Sequence, residues 1–312
     1  MSILCRCLQV TRSGFYAWCR RPESAHTQRD RQLRVVVRAS FDASKHRYGS
    51  PRIYEDLLEQ DMRVSRKRVI RLMQEEGLKA RVRKRFKSTT MSDHDQPVAA
   101  NLLDRQFTAD APNRRWVGDT TEFVIGESGK LYLAAILDLF SRFVVGWAVS
   151  AVNDRHLALK ALGMALKRRC PDAGLLHHSD QGCTYASEDY QRMLDAYGIR
   201  CSMSRRGNCY DNAVMEAFFS SVKSEVTDRF DGCGEAKMEL FDYIEVFYNQ
   251  RRRHSTLGQI SPAEFEKRAK TRRVDPVENR SERGFPPAPH ASSFSSGEED
   301  RSNGDQLTAT VH

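Results

Sequence analysis

The chain has 312 residues, 40% of them hydrophobic and including 15 Phe, 10 Tyr and 3 Trp, which suffices for an ordinary core and excludes wholesale disorder. No run approaches the roughly 18 apolar residues of a membrane span, and the N-terminus lacks a secretion-type apolar stretch, so a cytoplasmic location is expected. The net charge of +9 is concentrated at one end: residues 1–110 hold 23 Lys and Arg against 13 Asp and Glu, whereas residues 111–270 hold 22 against 21. This asymmetry points to a polyanion-binding arm joined to a near-neutral domain. The eight cysteines include no C-x-x-C pair and no zinc-finger spacing, so free thiols are expected.

In V-T-R-S-G-F-Y-A-W a turn leads into a short helix with Phe15, Tyr16 and Trp18 available for packing, and a longer helix is expected from Asp30 to Ala43. Y-G-S-P-R-I-Y-E-D-L-L-E-Q predicts a helix with Ser50 as N-cap and Pro51 in its first turn; Ser65 then caps a second helix that Gly77 ends. Two helices so joined form a helix-turn-helix candidate, or an ordinary helical hairpin with a basic solvent face. In the first case Arg66, Lys67, Arg68 and Arg71 would approach the DNA major groove while Val69, Leu72 and Met73 face the partner helix. K-A-R-V-R-K-R-F-K (79–87) places six positive charges in nine residues, among them Arg83, Lys84 and Arg85, and reads as a phosphate-contacting arm. The expected division is a helical DNA-binding region over residues 1–87, a linker over 88–110, a second domain over 111–270 and a disordered tail over 271–312.

From Ala111 the pattern changes. W-V-G-D-T-T-E-F-V-I, L-Y-L-A-A-I-L-D-L and R-F-V-V-G-W-A-V predict three strands. A helix from Asp154, the strand G-L-L-H-H-S, a helix capped by Ser187, the strand I-R-C-S-M-S and a helix from Asp211 or Asn212 follow. That order is an α/β fold with a mixed sheet. A covering helix is expected over Glu235 to Gln250, with Met238, Phe241, Ile244 and Tyr248 packed inward.

Three carboxylates fall on different elements: Asp119 in a strand, Asp180 just past another, and Glu216 in a helix, with 35 residues between the last two. Phosphodiester bonds resist attack because the nucleophile meets a polyanion, and a pair of divalent ions held by converging carboxylates solves this. Mg²⁺ favours such oxygen ligands. Each residue also has a plain structural reading: Asp180 as a turn residue before Gln181 and Gly182, Glu216 as surface charge. Asp119 is hardest to dismiss, because strands disfavour Asp. Lys223, two turns beyond Glu216 on the same helix face, is a candidate DNA contact. So are Arg205, Arg206 and Asn208 in the preceding loop, and Arg251 and Arg252, which would alternatively favour a helix C-terminus. His177 and His178 are expected to be hydrogen-bonding core residues rather than ligands.

W-V-G-D-T-T, H-S-D-Q-G-C-T-Y-A-S, S-R-R-G-N-C-Y-D-N-A-V-M-E-A-F-F and Y-N-Q-R-R-R-H-S-T-L-G-Q-I-S-P closely resemble bacterial insertion-sequence transposases with a retroviral-integrase-like core. The likeness, which spans about residues 10–268, is to the second-reading-frame product of the group that uses two overlapping frames. It implies a ribonuclease-H-like mixed-sheet core preceded by a small all-α helix-turn-helix-type domain. It implies that Asp119, Asp180 and Glu216 are catalytic and bind two Mg²⁺ or Mn²⁺ ions. The implied reaction is cleavage at the element's terminal inverted repeats, freeing a 3′-hydroxyl that attacks another phosphodiester, first joining one element end to the other. The implied partners are double-stranded DNA at the element ends and target, further copies of the chain on that DNA, and the upstream-frame product as a fusion or partner. The implied setting is the bacterial nucleoid, with no membrane. Cys183 and Thr184 stand where the family more often has Ser and Gln. Two other readings stay open: a catalytically impaired remnant acting as a DNA-binding regulator, and a ribonuclease H or junction nuclease of the same fold.

Overall fold

Polar capping residues set the helix starts in the first eighty residues. A computed structural model describes residues 2–81, 98–127, 129–205, 208–227 and 229–274. The arm residues Arg83, Lys84 and Arg85, the first part of the expected linker, Arg206 and residues 275–312 lie outside that set. Helices α1 (Ser2–Cys7), α2 (Arg12–Arg20), α3 (Ala25–Ala43), α4 (Ser50–Glu59) and α5 (Arg66–Glu75) come first. Thr11, Ser24 and Ser65 each accept a backbone N–H from the first turn of the helix that follows. Ser24 therefore starts α3 several residues before the expected Asp30. Gly49, not Ser50, occupies the cap of α4, with Pro51 in the first turn where its missing N–H is not needed. The expected packing of the α2 aromatics is not found: α2 buries no residue, and Tyr16 and Trp18 are 43% and 67% exposed. Val69, Leu72 and Met73 do face inward, with Ile53 and Leu57 of α4.

The sheet comprises β1 (Arg115–Ile125), β2 (Gly129–Asp138), β3 (Val144–Ser150), β4 (Leu176–Ser179), β5 (Arg200–Met203) and the short β6 (Arg229–Phe230). Its order is β3-β2-β1-β4-β5, with β6 pairing the far end of β1. The first three strands form an antiparallel meander, and β4 and β5 add in parallel to β1. Helices α6 (Arg155–Arg169), α7 (Cys183–Ala186) and α8 (Glu188–Ala196) connect them, and α9 (Ala213–Glu225), α10 (Cys233–Phe241) and α11 (Pro262–Val274) follow.

Alternation along the strands divides the core in two. Leu133, Ala135 and Leu137 of β2 join Val117 and Phe123 of β1, α9, α10 and the buried residues of α3, α4 and α5 in one cluster. Ala134 and Ile136, with Trp116, face α6 and α8 in the other. The helical region and one face of the sheet thus share a single apolar core within residues 1–270.

The covering helix departs from expectation. Met238 and Phe241 are 70% and 53% exposed, while Ala236, Leu240, Tyr243, Ile244, Phe247 and Tyr248 are buried. A continuous α-helical period was the premise, but Asp242–Tyr248 winds as a π-helix, and the wider turn rotates the inward face.

Candidate active site

Asp119 sits mid-way along β1, opposite Ala135 of β2, and its Oδ1 accepts the Thr120 backbone N–H at 2.7 Å. Strand alternation points it to the same side as Val117 and Phe123, the side on which α9 packs. Asp180 follows β4 directly. The last parallel pair between β1 and β4 is Val117 with His178, so Asp119 and Asp180 each lie two residues past it on adjacent strands. Asp180 Oδ1 accepts the Gly182 N–H at 3.0 Å, so the turn role and proximity to Asp119 hold together. Glu216 is exposed in the first turn of α9. Burial, and then the negative charges of Asp180 and Glu216, push the Asp119 carboxyl well above the usual carboxylate range. The structure brings Asp180 and Glu216 into electrostatic reach of Asp119. Among the described residues, however, no three His, Cys, Asp or Glu side chains are drawn together tightly enough to hold a metal ion.

The opposite side of β1 is locked by aromatic residues. The Tyr185 hydroxyl of α7 hydrogen-bonds the Thr120 hydroxyl at 3.0 Å, and Tyr185 packs edge-on against Tyr190. The Tyr190 hydroxyl meets His177 Nε2 at 3.1 Å, and His178 lies between the Ser202 and Ser204 hydroxyls at 2.9 and 3.1 Å. Burial pushes the two histidines down to about 3 and about 4, so both are neutral core residues at physiological pH. Tyr185 had no role in the reading from sequence. Its signal was its place five residues after Asp180, which lets it tie that loop back to β1.

The candidate DNA contacts divide. Arg66 and Lys67 are exposed at the start of α5 and form no ion pair among the described residues. Arg68 and Arg71 do not share that freedom: both donate to buried Asp30 of α3 at 2.7 Å. The Arg71 and Arg68 hydrogen bonds hold Asp30 down to about 2, against the cost of its burial. These arginines dock α5 on α3. Arg252 likewise has a core role, being 6% exposed and donating through Nη2 and Nε to the two carboxylate oxygens of Glu225 at 2.7 and 2.8 Å. Arg251 remains exposed.

Arg205 is anchored by Asp211, which is fully buried and also takes Arg105 and Asn101. The Asn208 side-chain oxygen accepts the Tyr210 N–H at 3.2 Å, tightening the turn that leads into α9. Lys223 Nζ stands 5.5 Å from the centre of the Phe123 ring. Since Phe123 is four residues past Asp119 on the same strand face, α9 runs along β1 with Glu216 toward Asp119 and Lys223 toward Phe123.

Models of three known families match the chain: an HTH-like domain over residues 27–86, and two integrase core domain families, one over residues 109–209 and the other over 197–262. Transposase InsF of insertion sequence IS3A from Escherichia coli K12 is 40% identical over 267 residues, 84% of this chain and 92% of InsF. An uncharacterized 31 kDa protein of insertion element IS600 from Shigella sonnei is 41% identical, over 84% of this chain and 97% of its own length. Among solved structures, the HTLV-2 integrase catalytic core domain in complex with magnesium matches with 17% identity and a TM-score of 0.39, over 51% of this chain and 99% of that one. No helix among the described residues is long and apolar enough to cross a membrane. With 40% identity along nearly all of InsF, the chain belongs to the insertion-sequence transposase family, and has that family's integrase core behind an HTH-like domain.

Proposed function

We propose that Asp119, Asp180 and Glu216 form the catalytic centre of a DNA strand-transferase, and that residues 1–87, including the exposed Arg66 and Lys67, present DNA to it. The observation that carries this reading is the placement of Asp119 and Asp180 two residues past the Val117–His178 pair, with α9 packed along β1 so that Glu216 lies toward Asp119. Burial and the negative charges of Asp180 and Glu216 favour a proton on Asp119 unless positive charge arrives, and an all-oxygen donor set suits Mg²⁺ or Mn²⁺. Such ions, when bound, supply the charge that lets an attacking oxygen approach a phosphodiester.

In this reading Asp119 and Asp180 hold the fixed half of the site, since the β1–β4 pairing and the Tyr185–Thr120 hydrogen bond set their places. Glu216 completes it from α9. Asp119, central to the three, would hold such an ion together with Asp180 and Glu216. Lys223 and Arg251, with the arm residues Arg83, Lys84 and Arg85, offer positive charge for the DNA backbone. The reaction is the exchange of one phosphodiester for another: a 3′-hydroxyl freed at an element end attacks a second DNA phosphate and displaces its 3′-oxygen.

Glu216→Gln tests this directly. The variant is expected to bind element-end DNA like the parent chain yet join no 3′ ends with Mg²⁺ or Mn²⁺. Joining at the parental rate would remove Glu216 from the centre.

A further inference from the structure

Three arginines of the helical region meet at the C-terminal end of α9. Arg47 Nε donates to the Glu225 carbonyl at 3.1 Å, Arg52 donates to the Glu225 carboxylate at 3.1 Å, and Arg81 donates to the carbonyls of Glu225 (3.3 Å) and Val226. The last carbonyls of a helix lack intrahelical partners and carry the negative end of its dipole, so cations suit that position. From the core side, Arg252 holds the same carboxylate at 2.7 and 2.8 Å, and the Tyr243 hydroxyl donates to it at 3.0 Å. A second tie lies alongside: Tyr48 donates to the Arg251 carbonyl at 3.1 Å, and Arg253 pairs with Asp56 and Glu59 of α4.

Glu225 is nine residues after Glu216 on one uninterrupted helix, about 13.5 Å along its axis at 1.5 Å per residue. Apolar packing of Met215, Phe218, Phe219 and Val222 already holds α9 on the sheet. Packing of that kind tolerates small rotations and slides, whereas a carboxylate gripped from several directions admits one setting of the helix. Arg81 is also the last described residue of the basic run 79–87, the segment expected to meet phosphates.

We infer that Glu225 is a positioning residue: through Arg47, Arg52 and Arg81 the helical region fixes the orientation of α9 and thereby the approach of Glu216 to Asp119 and Asp180. This rests on the reading of Glu216 as a metal-binding carboxylate.

The test uses the full chain with Arg52→Gln. Arg52 is partly exposed, unlike buried Arg47, and its loss leaves Glu225 still paired with Arg252, so the fold is retained. Thermal melting and affinity for element-end DNA are expected to stay close to those of the parent. Mn²⁺ binding by calorimetry is expected to weaken, and the Mn²⁺ concentration for half-maximal strand transfer to rise by up to about 10-fold, the low end of the cost of removing a direct partner of a metal ligand. Arg52→Lys should recover part of the shift. An unchanged Mn²⁺ midpoint overturns the inference, whether or not stability or DNA affinity falls. Glu216→Gln run in parallel separates the two ideas: an active Glu216→Gln defeats the metal-ligand reading. An inactive one, beside Arg52→Gln with parental Mn²⁺ behaviour, defeats the clamp alone.

Discussion

Asp119 in β1 and Asp180, the residue that follows the parallel neighbour β4, each stand two residues beyond the Val117–His178 pair. Neighbouring carboxylates in this arrangement cannot both ionise freely without a cation. In metal-free protein, Asp180→Asn is therefore expected to move the Asp119 carboxyl down toward the ordinary range, though burial keeps it elevated. Carboxyl-carbon NMR titration reads this directly, and an unmoved Asp119 would mean that the two groups do not interact. Strand transfer by the same variant should fall by more than about 100-fold, since loss of a ligand exceeds the 10–100-fold cost of losing a supporting partner.

Much of this site was legible in the residues. Asp in a β-rich stretch, a carboxylate at the end of a short buried strand and a glutamate in a helix have local signatures, and the order of elements let two of them be placed on one sheet and the third on a helix. Pairings between distant segments have no such signature. Nothing around Arg252 distinguishes a buried partner of Glu225 from a surface cation, and Asp30 gives no local hint that it will take Arg68 and Arg71. Ile244 and Tyr248 of the covering helix are buried as expected, but Met238 and Phe241 are not, for another reason: a π-helical turn over Asp242–Tyr248 breaks the 3.6-residue period on which such readings depend.

The exposed and the paired cations of α5 should behave differently in salt. Replacing both Arg66 and Lys67 with Ala should weaken binding to any duplex and reduce the slope of log K against log salt by about 2, near 0.9 for each phosphate no longer neutralised. Arg68→Ala should leave the slope alone and instead lower stability by about 1–3 kcal/mol, because buried Asp30 loses one of its two guanidinium partners. Salt titrations of DNA binding beside urea unfolding separate the two effects. A salt slope that responds to Arg68 as it does to Arg66 and Lys67 would return Arg68 to the DNA surface.

Gly146 of β3 marks where α6 comes closest to the sheet. A β-carbon there would stand 2.7 Å from the Ala165 nitrogen and would press on the Ala161 carbonyl, both main-chain atoms that cannot swing aside. Gly146→Ala is expected to cost at least about 1–3 kcal/mol, the range for an overpacked core. Gly163→Ala, in the same helix but with open space around the added carbon, serves as the control and should be neutral or slightly stabilising. Equal unfolding midpoints for the two variants would contradict the close β3–α6 approach.

Glu225 links stability to pH with a defined sign. Burial alone would raise its carboxyl, but Arg252 and then Arg52 overcome this and hold it below the usual range. A carboxylate depressed in the folded state contributes stability above its unfolded value, near 4.5, and loses that contribution as the pH falls. Glu225→Ala should therefore cost about 3–5 kcal/mol at pH 7, since Arg252 is left buried without its partner. The deficit should shrink below pH 4, where unfolding of the parent chain is assisted by proton uptake at Glu225. Urea denaturation at pH 7 and pH 3.5 measures both. A deficit of the same size at the two pH values would show that the lost packing of the side chain, rather than its charge, is what Glu225 contributes at the end of α9.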